Sequence, residues 1–246
     1  MYIRRENYRL RFHPTSLSCA LWESPEGWNR DSYIIRSILR ERDTFVDVGA
    51  NIGHLSIEAG LIVGERGHVY AFEAHPRIAM YLRENVAINR LNNVNIAQIA
   101  IGDIVGWVGF SERYSDDQNE VTHAGPIHVL MLPLDLLLPN AQVTLLKVDT
   151  EGYEWYVFKG AESLLKRTSF VYFEVWKKHM EKHGLSFAAV FDLLSHAGFH
   201  MGEYRDGALH LVTRETEFDI NTNLLAYRSE QDLVERTGWR ILKTKE

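Results

Sequence analysis

Phe45-Val46-Asp47-Val48-Gly49-Ala50-Asn51-Ile52-Gly53-His54 sets a β-branched strand directly before a glycine-spaced turn, with an acid at the junction. Val46 and Val48 suit a strand covered on both faces. Gly49 permits a tight turn or close backbone approach, and Gly53 lets the next helix begin close to the sheet. A ligand carboxylate or phosphate at such a turn meets N–H groups that the helix cannot bond internally. The same ten residues also read as a plain strand-to-helix turn with a capping aspartate.

The spelling discriminates between ligands. A dinucleotide loop needs Gly-x-Gly-x-x-Gly, which leaves bare backbone against a pyrophosphate. Here Asn51 puts a side chain on the approach path and Asp47 adds charge that repels phosphate, so an NAD-type ligand fits poorly. S-adenosylmethionine fits better, because its ammonium and sulfonium are attracted to Asp47 while its single carboxylate can still use the turn. A helix over residues 54–62 and a turn at residues 64–67 then lead to a second apolar strand, residues 68–72, ending in Glu73. An acid about twenty residues past the glycine turn is placed to accept both ribose hydroxyls. A solvated strand-end glutamate is the bland alternative.

With 246 residues, 46% hydrophobic, and no linker-like composition break, the chain reads as one α/β domain over residues 1–246. Within it, residues 1–43 form an N-terminal cover or acceptor-side segment, residues 44–228 the core, and residues 229–246 a polar tail. No apolar run approaches the ~18 residues of a membrane span. The basic start lacks an apolar signal core, and the single Cys19 excludes an internal disulfide or cysteine metal cluster; both suit the cytoplasm. Net charge of -6 argues against general nucleic-acid binding, and Arg77, Arg83 and Arg90, interrupted by Glu84, read as a solvated helix face. Oligomeric state is not legible.

Residues 8–12 alternate like an edge strand, and Asp31 is positioned to cap a helix carrying Tyr33, Ile34, Ile35, Ile38 and Leu39. The cluster at residues 22–30 mixes rings with charge in a loop, facing substrate or plugging the core. From Phe45 onward strands and helices alternate: a helix over residues 76–89, a strand near 94–99, an added strand pair at 106–110 and 127–131 joined by a polar loop, and a core strand at 143–148 ending in Asp149. A helix around residues 155–166 precedes a strand at 170–175. Ser186 opens a helix over residues 187–197. Arg205-Asp206-Gly207 then signals a hairpin between residues 200–204 and 208–212, and residues 224–227 supply another strand. The tail is mildly helical and carries no chemistry.

Several segments together resemble the FkbM-type S-adenosylmethionine-dependent methyltransferases. They are Asp47 to Gly53, Ala71-Phe72-Glu73, Asn85 with Asn89, Ala100-Ile101-Gly102-Asp103, Leu134-Asp135, and Lys147-Val148-Asp149-Thr150-Glu151-Gly152. The resemblance covers residues 44–174. It implies the class I methyltransferase fold, a Rossmann-like, mostly parallel seven-stranded α/β sheet with an antiparallel final strand and helices on both faces. It also implies methyl transfer to oxygen on a sugar, glycan or small metabolite. His54 departs from similar sequences, which place an aromatic residue after the turn, and residues 1–30 and 198–246 match no family pattern.

In an open parallel sheet, ligands lie outside the carboxyl ends of the strands, where Asp47, Glu73, Ala100, Asp149 and Glu174 all fall. The expected cofactor residues are Asp47, Gly49, Asn51 and Gly53 for the methionine part, Glu73 for ribose, and Ala100 and Asp103 beside adenine. Asp149 and Glu151 are the expected catalytic pair, bracketing a strand-end turn with Gly152; His54 is a third candidate base. For Glu151 and Glu154, helix N-terminal charge is the competing explanation. Methylation of nitrogen, protein or RNA, and a non-catalytic cofactor-binding relative, are the alternatives. Magnesium held by Asp149 and Glu174 is a minor expectation, and His179 and His183 are read as exposed.

Overall fold

The computed structural model describes residues 1–24, 29–110, 121–122 and 125–243. Residues 25–28 of the aromatic and charged cluster, most of the polar loop between residues 110 and 127, and the last three residues of the tail therefore lie outside the described residues. The chain packs as two compact units. One comprises residues 1–100 and 106–131, the other residues 101–105 and 132–246.

The first unit opens with a hairpin, β1 (Tyr2–Arg4) against β2 (Arg9–Arg11), so the strand expected near residue 8 pairs locally rather than on the main sheet. A helix that the sequence reading did not anticipate follows, α1 (Ser16–Glu23), started by the Thr15 side chain accepting from the Ser18 N–H. In α2 (Asn29–Ile38), Asp31 sits inside the first turn and not at the cap. It complements the helix dipole there instead.

The strand read at Phe45 is β3 (Thr44–Val48), buried along most of its length. It feeds α3 (His54–Val63), a helix buried nearly all round, and then β4 (His68–Phe72), α4 (Pro76–Ile88) and β5 (Val94–Ala97). β3 pairs β4 and β4 pairs β5, both parallel, with Asp47 opposite Ala71 and Val48 opposite Phe72. The Asn93 amide donates to the carbonyls of Gly60 and Gly64 at 2.8 Å, closing the end of α3. After the two-residue β6 (Ala100–Ile101), the added pair forms as expected: β7 (Gly106–Phe110) runs antiparallel to β9 (Ile127–Leu132) and to β8 (Val121–Thr122).

The second unit begins with the single turn α5 (Leu134–Leu137) and β10 (Val143–Val148). The helix expected over residues 155–166 is broken into α6 (Glu154–Lys159) and α7 (Glu162–Leu165). Gly160 explains the break, because a Cβ there would lie 2.0 Å from the Gly102 carbonyl oxygen. Asp135 starts α7, its two carboxylate oxygens accepting from the N–H groups of Ser163 and Leu164 at 2.9 and 2.7 Å.

β11 (Thr168–Val175) is parallel to β10 and is followed by α8 (Lys177–Lys182) and α9 (Phe187–His196). Ser186 occupies the N-cap of α9 but makes no side-chain capping bond. The hairpin β12 (His200–Arg205) to β13 (Ala208–Leu211) turns on Asp206 and Gly207, both at positive φ (51° and 75°), as a tight hairpin between right-twisted strands requires. β14 (Thr222–Tyr227) lies between β11 and β12, antiparallel to both, so β12 runs parallel to β11 past a reversed last strand. The tail contributes α10 (Glu230–Thr237) and β15 (Arg240–Leu242), which pairs parallel with β13; Leu233 and Trp239 are buried. It is more structured than its polarity suggests, because these two buried side chains dock it.

Candidate active site

Within the first unit, the turn after β3 is built on two backbone donors to one acceptor: the N–H groups of Gly49 and Ala50 both reach the Phe72 carbonyl at 3.0 Å. Gly49 (φ 79°), Asn51 (φ 49°) and Gly53 (φ 89°) are all left-handed. Asn51 tolerates this conformation because its side chain hydrogen-bonds locally, its Oδ1 accepting from the Ile52 N–H at 2.7 Å. At Gly53, a Cβ would stand 2.3 Å from Leu82 Cδ1, so the glycine is required by packing as well as by φ.

Asp47 is buried, and its Oδ2 accepts from the Ser56 hydroxyl at 2.6 Å. Glu73 is held at both oxygens by backbone donors, Asn51 N–H to Oε2 at 2.9 Å and His75 N–H to Oε1 at 2.8 Å. A carboxylate oxygen can accept more than one hydrogen bond. His75 caps α4, its Nδ1 accepting from the Arg77 N–H at 3.2 Å. Ala100 is buried at the start of β6. His54 is buried too, and its Nδ1 is 2.5 Å from the Tyr8 hydroxyl, which places it in a packing contact and away from the role of base. Asn85 and Asn89 are clamps: Asn85 donates to the Ile52 carbonyl and accepts from the Arg11 N–H, while Asn89 exchanges both bonds with the Arg9 backbone. Sequence alone does not show this, because their partners are far along the chain.

Within the second unit, Asp149 follows β10 with its side chain 42% exposed, and Lys147 Nζ lies 3.4 Å from its Oδ2. The turn beyond it is tied from below by Glu154, whose Oε1 accepts from the Thr150 N–H, the Thr150 hydroxyl and the Gly152 N–H at 2.9, 3.0 and 3.2 Å. Burial pushes the Glu154 carboxyl up to about 7 against the pull of these donors. Glu154 therefore ties the turn at the start of α6, and burial works against the helix N-terminal charge that the competing explanation invokes.

Glu151 (φ 57°) turns its carboxylate to His179, with Oε2 2.7 Å from Nδ1. Gly152 (φ 98°) allows this, since a Cβ there would meet the His179 backbone at 2.6 Å. His179, read from its charged neighbours as exposed, is buried, its ring lying against Trp176 with centroids 3.6 Å apart. The available signal was Trp176 three residues before it and Met180 directly after it. His183, half-buried, stands edge-on to Tyr153 at 5.4 Å.

Glu174, near the end of β11, is buried, and its Oε1 accepts from the Asn221 amide at 2.6 Å. Burial first, then the charges of Asp149 and Glu154, push it up to about 8. Glu174 groups with Glu151 and His179, whose ligating atoms all lie within 4.8 Å of one another. Asp149, expected beside Glu174, is not one of this group, and His179 is. Asp103, half-buried, lies close enough to Tyr153 that its charge, after burial, helps push that phenol up to about 12.

Parallel strands β3, β4, β10 and β11, each followed by a helix, with a glycine turn after β3, an acid after β4 and a reversed strand beside β11, define a class I methyltransferase fold. A putative rRNA-methylase from Clostridium thermocellum shares it, with a TM-score of 0.52 at 11% identity over 81% of this chain and 94% of that one. Residues 47–201, more than half of the chain, match the methyltransferase FkbM domain, and the chain belongs to that family. It is 50% identical over 54 residues to a probable cobalt-precorrin-6B C(15)-methyltransferase (decarboxylating) of Sulfolobus acidocaldarius, over 22% of this chain and 28% of that protein. It is 28% identical over 150 residues to the hexuronic acid methyltransferase AglP of Haloferax volcanii, over 58% of this chain and 61% of that protein. The chain therefore spans between about a quarter and three-fifths of the length of these curated relatives.

Proposed function

We propose that the chain is an S-adenosylmethionine-dependent methyltransferase that methylates a hydroxyl oxygen on a sugar, glycan or small metabolite. The observation that carries this is the Glu73 carboxylate, oriented at the end of β4 by the backbone N–H groups of Asn51 and His75. Two adjacent ribose hydroxyls match it, whereas a pyrophosphate finds Asn51 on its path and the Asp47 charge beneath it.

Asp47, Gly49, Asn51 and Gly53 hold the methionine part in this proposal, Glu73 the ribose, and Ala100 and Asp103 the adenine. When bound, S-adenosylmethionine supplies a methyl carbon activated by positive sulfur. Asp149 removes the hydroxyl proton: it is the most exposed carboxylate of its cluster, and Lys147 Nζ lies 3.4 Å from its Oδ2. Glu151, fixed by His179, orients the acceptor hydroxyl. Proton removal of this kind contributes ~10²–10⁴-fold, and alignment of the reacting groups ~7–11 kcal/mol. The resemblance to a hexuronic acid methyltransferase supports a sugar acceptor, as does the net charge of -6, which disfavours RNA.

The test is incubation with methyl-labelled S-adenosylmethionine and separate pools of hexuronate-bearing glycans, neutral glycans, small metabolites, RNA and protein. Base-stable label on a glycan or metabolite is expected. Label on RNA or protein would overturn the acceptor, thermal stabilisation by the cofactor without transfer would mark a non-catalytic relative, and stabilisation by NAD alone would end the cofactor assignment.

A further inference from the structure

We propose that Glu151, Glu174 and His179 form a binding site for a divalent first-row transition cation, Mn²⁺ or Zn²⁺ rather than Mg²⁺. Three donors of metal-binding type converge with ligating atoms all within 4.8 Å of one another. Tetrahedral coordination at ~2.0–2.2 Å separates ligand atoms by roughly 3.4 Å, so the group needs only small rotamer adjustments to close on an ion. Convergence of acids is common without an ion, and a second feature distinguishes this cluster. Glu174 is 8% exposed, and its Oε2 is buried with no hydrogen-bond partner among the described residues. A buried carboxylate oxygen without a donor is costly, and a cation removes that cost.

The supports around the cluster are those of a prepared site. The Asn221 amide fixes the other Glu174 oxygen at 2.6 Å and thereby orients Oε2. Trp176 lies against His179, with ring centroids 3.6 Å apart and the planes tilted by 40°. Gly152 lets the turn carrying Glu151 close onto the His179 backbone. Glu151 Oε2 already stands 2.7 Å from His179 Nδ1. The imidazole nitrogen selects the metal class: Mg²⁺ takes oxygen donors and keeps its waters, whereas Mn²⁺ and Zn²⁺ accept mixed nitrogen and carboxylate sets.

The proposal does not depend on methyl transfer, since it is read by binding alone. The full chain, stripped with chelator, is titrated with Mn²⁺ followed by electron paramagnetic resonance, with Zn²⁺ by competition against a chromophoric chelator, and with Mg²⁺ by calorimetry. One Mn²⁺ or Zn²⁺ per chain is expected, with Mg²⁺ far weaker. Glu174→Gln and His179→Gln should each weaken binding by at least ~100-fold and Asn221→Ala by ~10-fold, while the exposed Glu215→Gln leaves it unchanged. Circular dichroism of the metal-free variants checks folding. Should a ligand variant fail to fold, Asn221→Ala decides, because it leaves every ligand in place: unchanged affinity there overturns the site. Absence of stoichiometric uptake, or uptake retained in both ligand variants, overturns it as well, and Mg²⁺ binding as tight as Mn²⁺ overturns the metal class.

Discussion

The strand-end acid of the first unit and the strand-end acids of the second are handled in opposite ways. Glu73 is met by two backbone N–H groups, which suit a carboxylate. Glu154 and Glu174 are buried among other carboxylates, and each is pushed toward its neutral form. Backbone donors make a rigid cradle suited to a ligand of constant shape. Crowded carboxylates hold proton affinity near neutrality, which suits proton transfer or a cation.

The largest effect that separates the two regions is expected at Asp149. Asp149→Asn should lower kcat by ~10²–10⁴-fold and leave cofactor affinity unchanged; equal losses in kcat and affinity would assign Asp149 to positioning. Next comes a pH effect on stability at Glu154. Its folded pKa of about 7 lies above the ordinary value of 4.5. The folded state therefore binds the proton more tightly, and the contribution, fully present below pH 4.5, is lost as pH rises to 7. That window is worth ~3 kcal/mol as an order of magnitude. Urea unfolding across pH 4–8 should show the slope in the wild type and a flatter one in Glu154→Gln; identical slopes would remove Glu154 from the account.

A smaller effect belongs to the first unit. Glu73→Ala should cost ~1.5–3 kcal/mol of S-adenosylmethionine affinity, about 10- to 150-fold by calorimetry, with kcat at saturation changed little. An unaltered dissociation constant would detach Glu73 from the cofactor. The smallest is Tyr8→Phe, which removes the hydroxyl from His54 and should lower stability by ~1–2 kcal/mol without touching kcat. Loss of turnover there would return His54 to the list of bases.

Local signals carried most of the fold. Val46, Val48 and the glycines after them mark β3 and its turn because burial period and positive φ are properties of a few consecutive residues. Asp206-Gly207 marks its hairpin for the same reason. The errors arise where distant contact overrides local preference. The 155–166 helix breaks at Gly160 because the Gly102 carbonyl needs that space, and β1, which carries no alternation of its own, forms because β2 pairs with it. His179 was misjudged because four charged neighbours hide one buried face.

Sequence alone determined the alternation of strands and helices from Phe45 onward, the glycine turn and the acids after the strands, since each follows from backbone sterics, burial period or side-chain charge within a short window. Only the tertiary structure decided that Glu73 is gripped by backbone donors, that Asn85 and Asn89 clamp the hairpin, and that Glu151, Glu174 and His179 converge. Those are meetings of residues far apart along the chain, and only the packing of the folded chain fixes the distances between them.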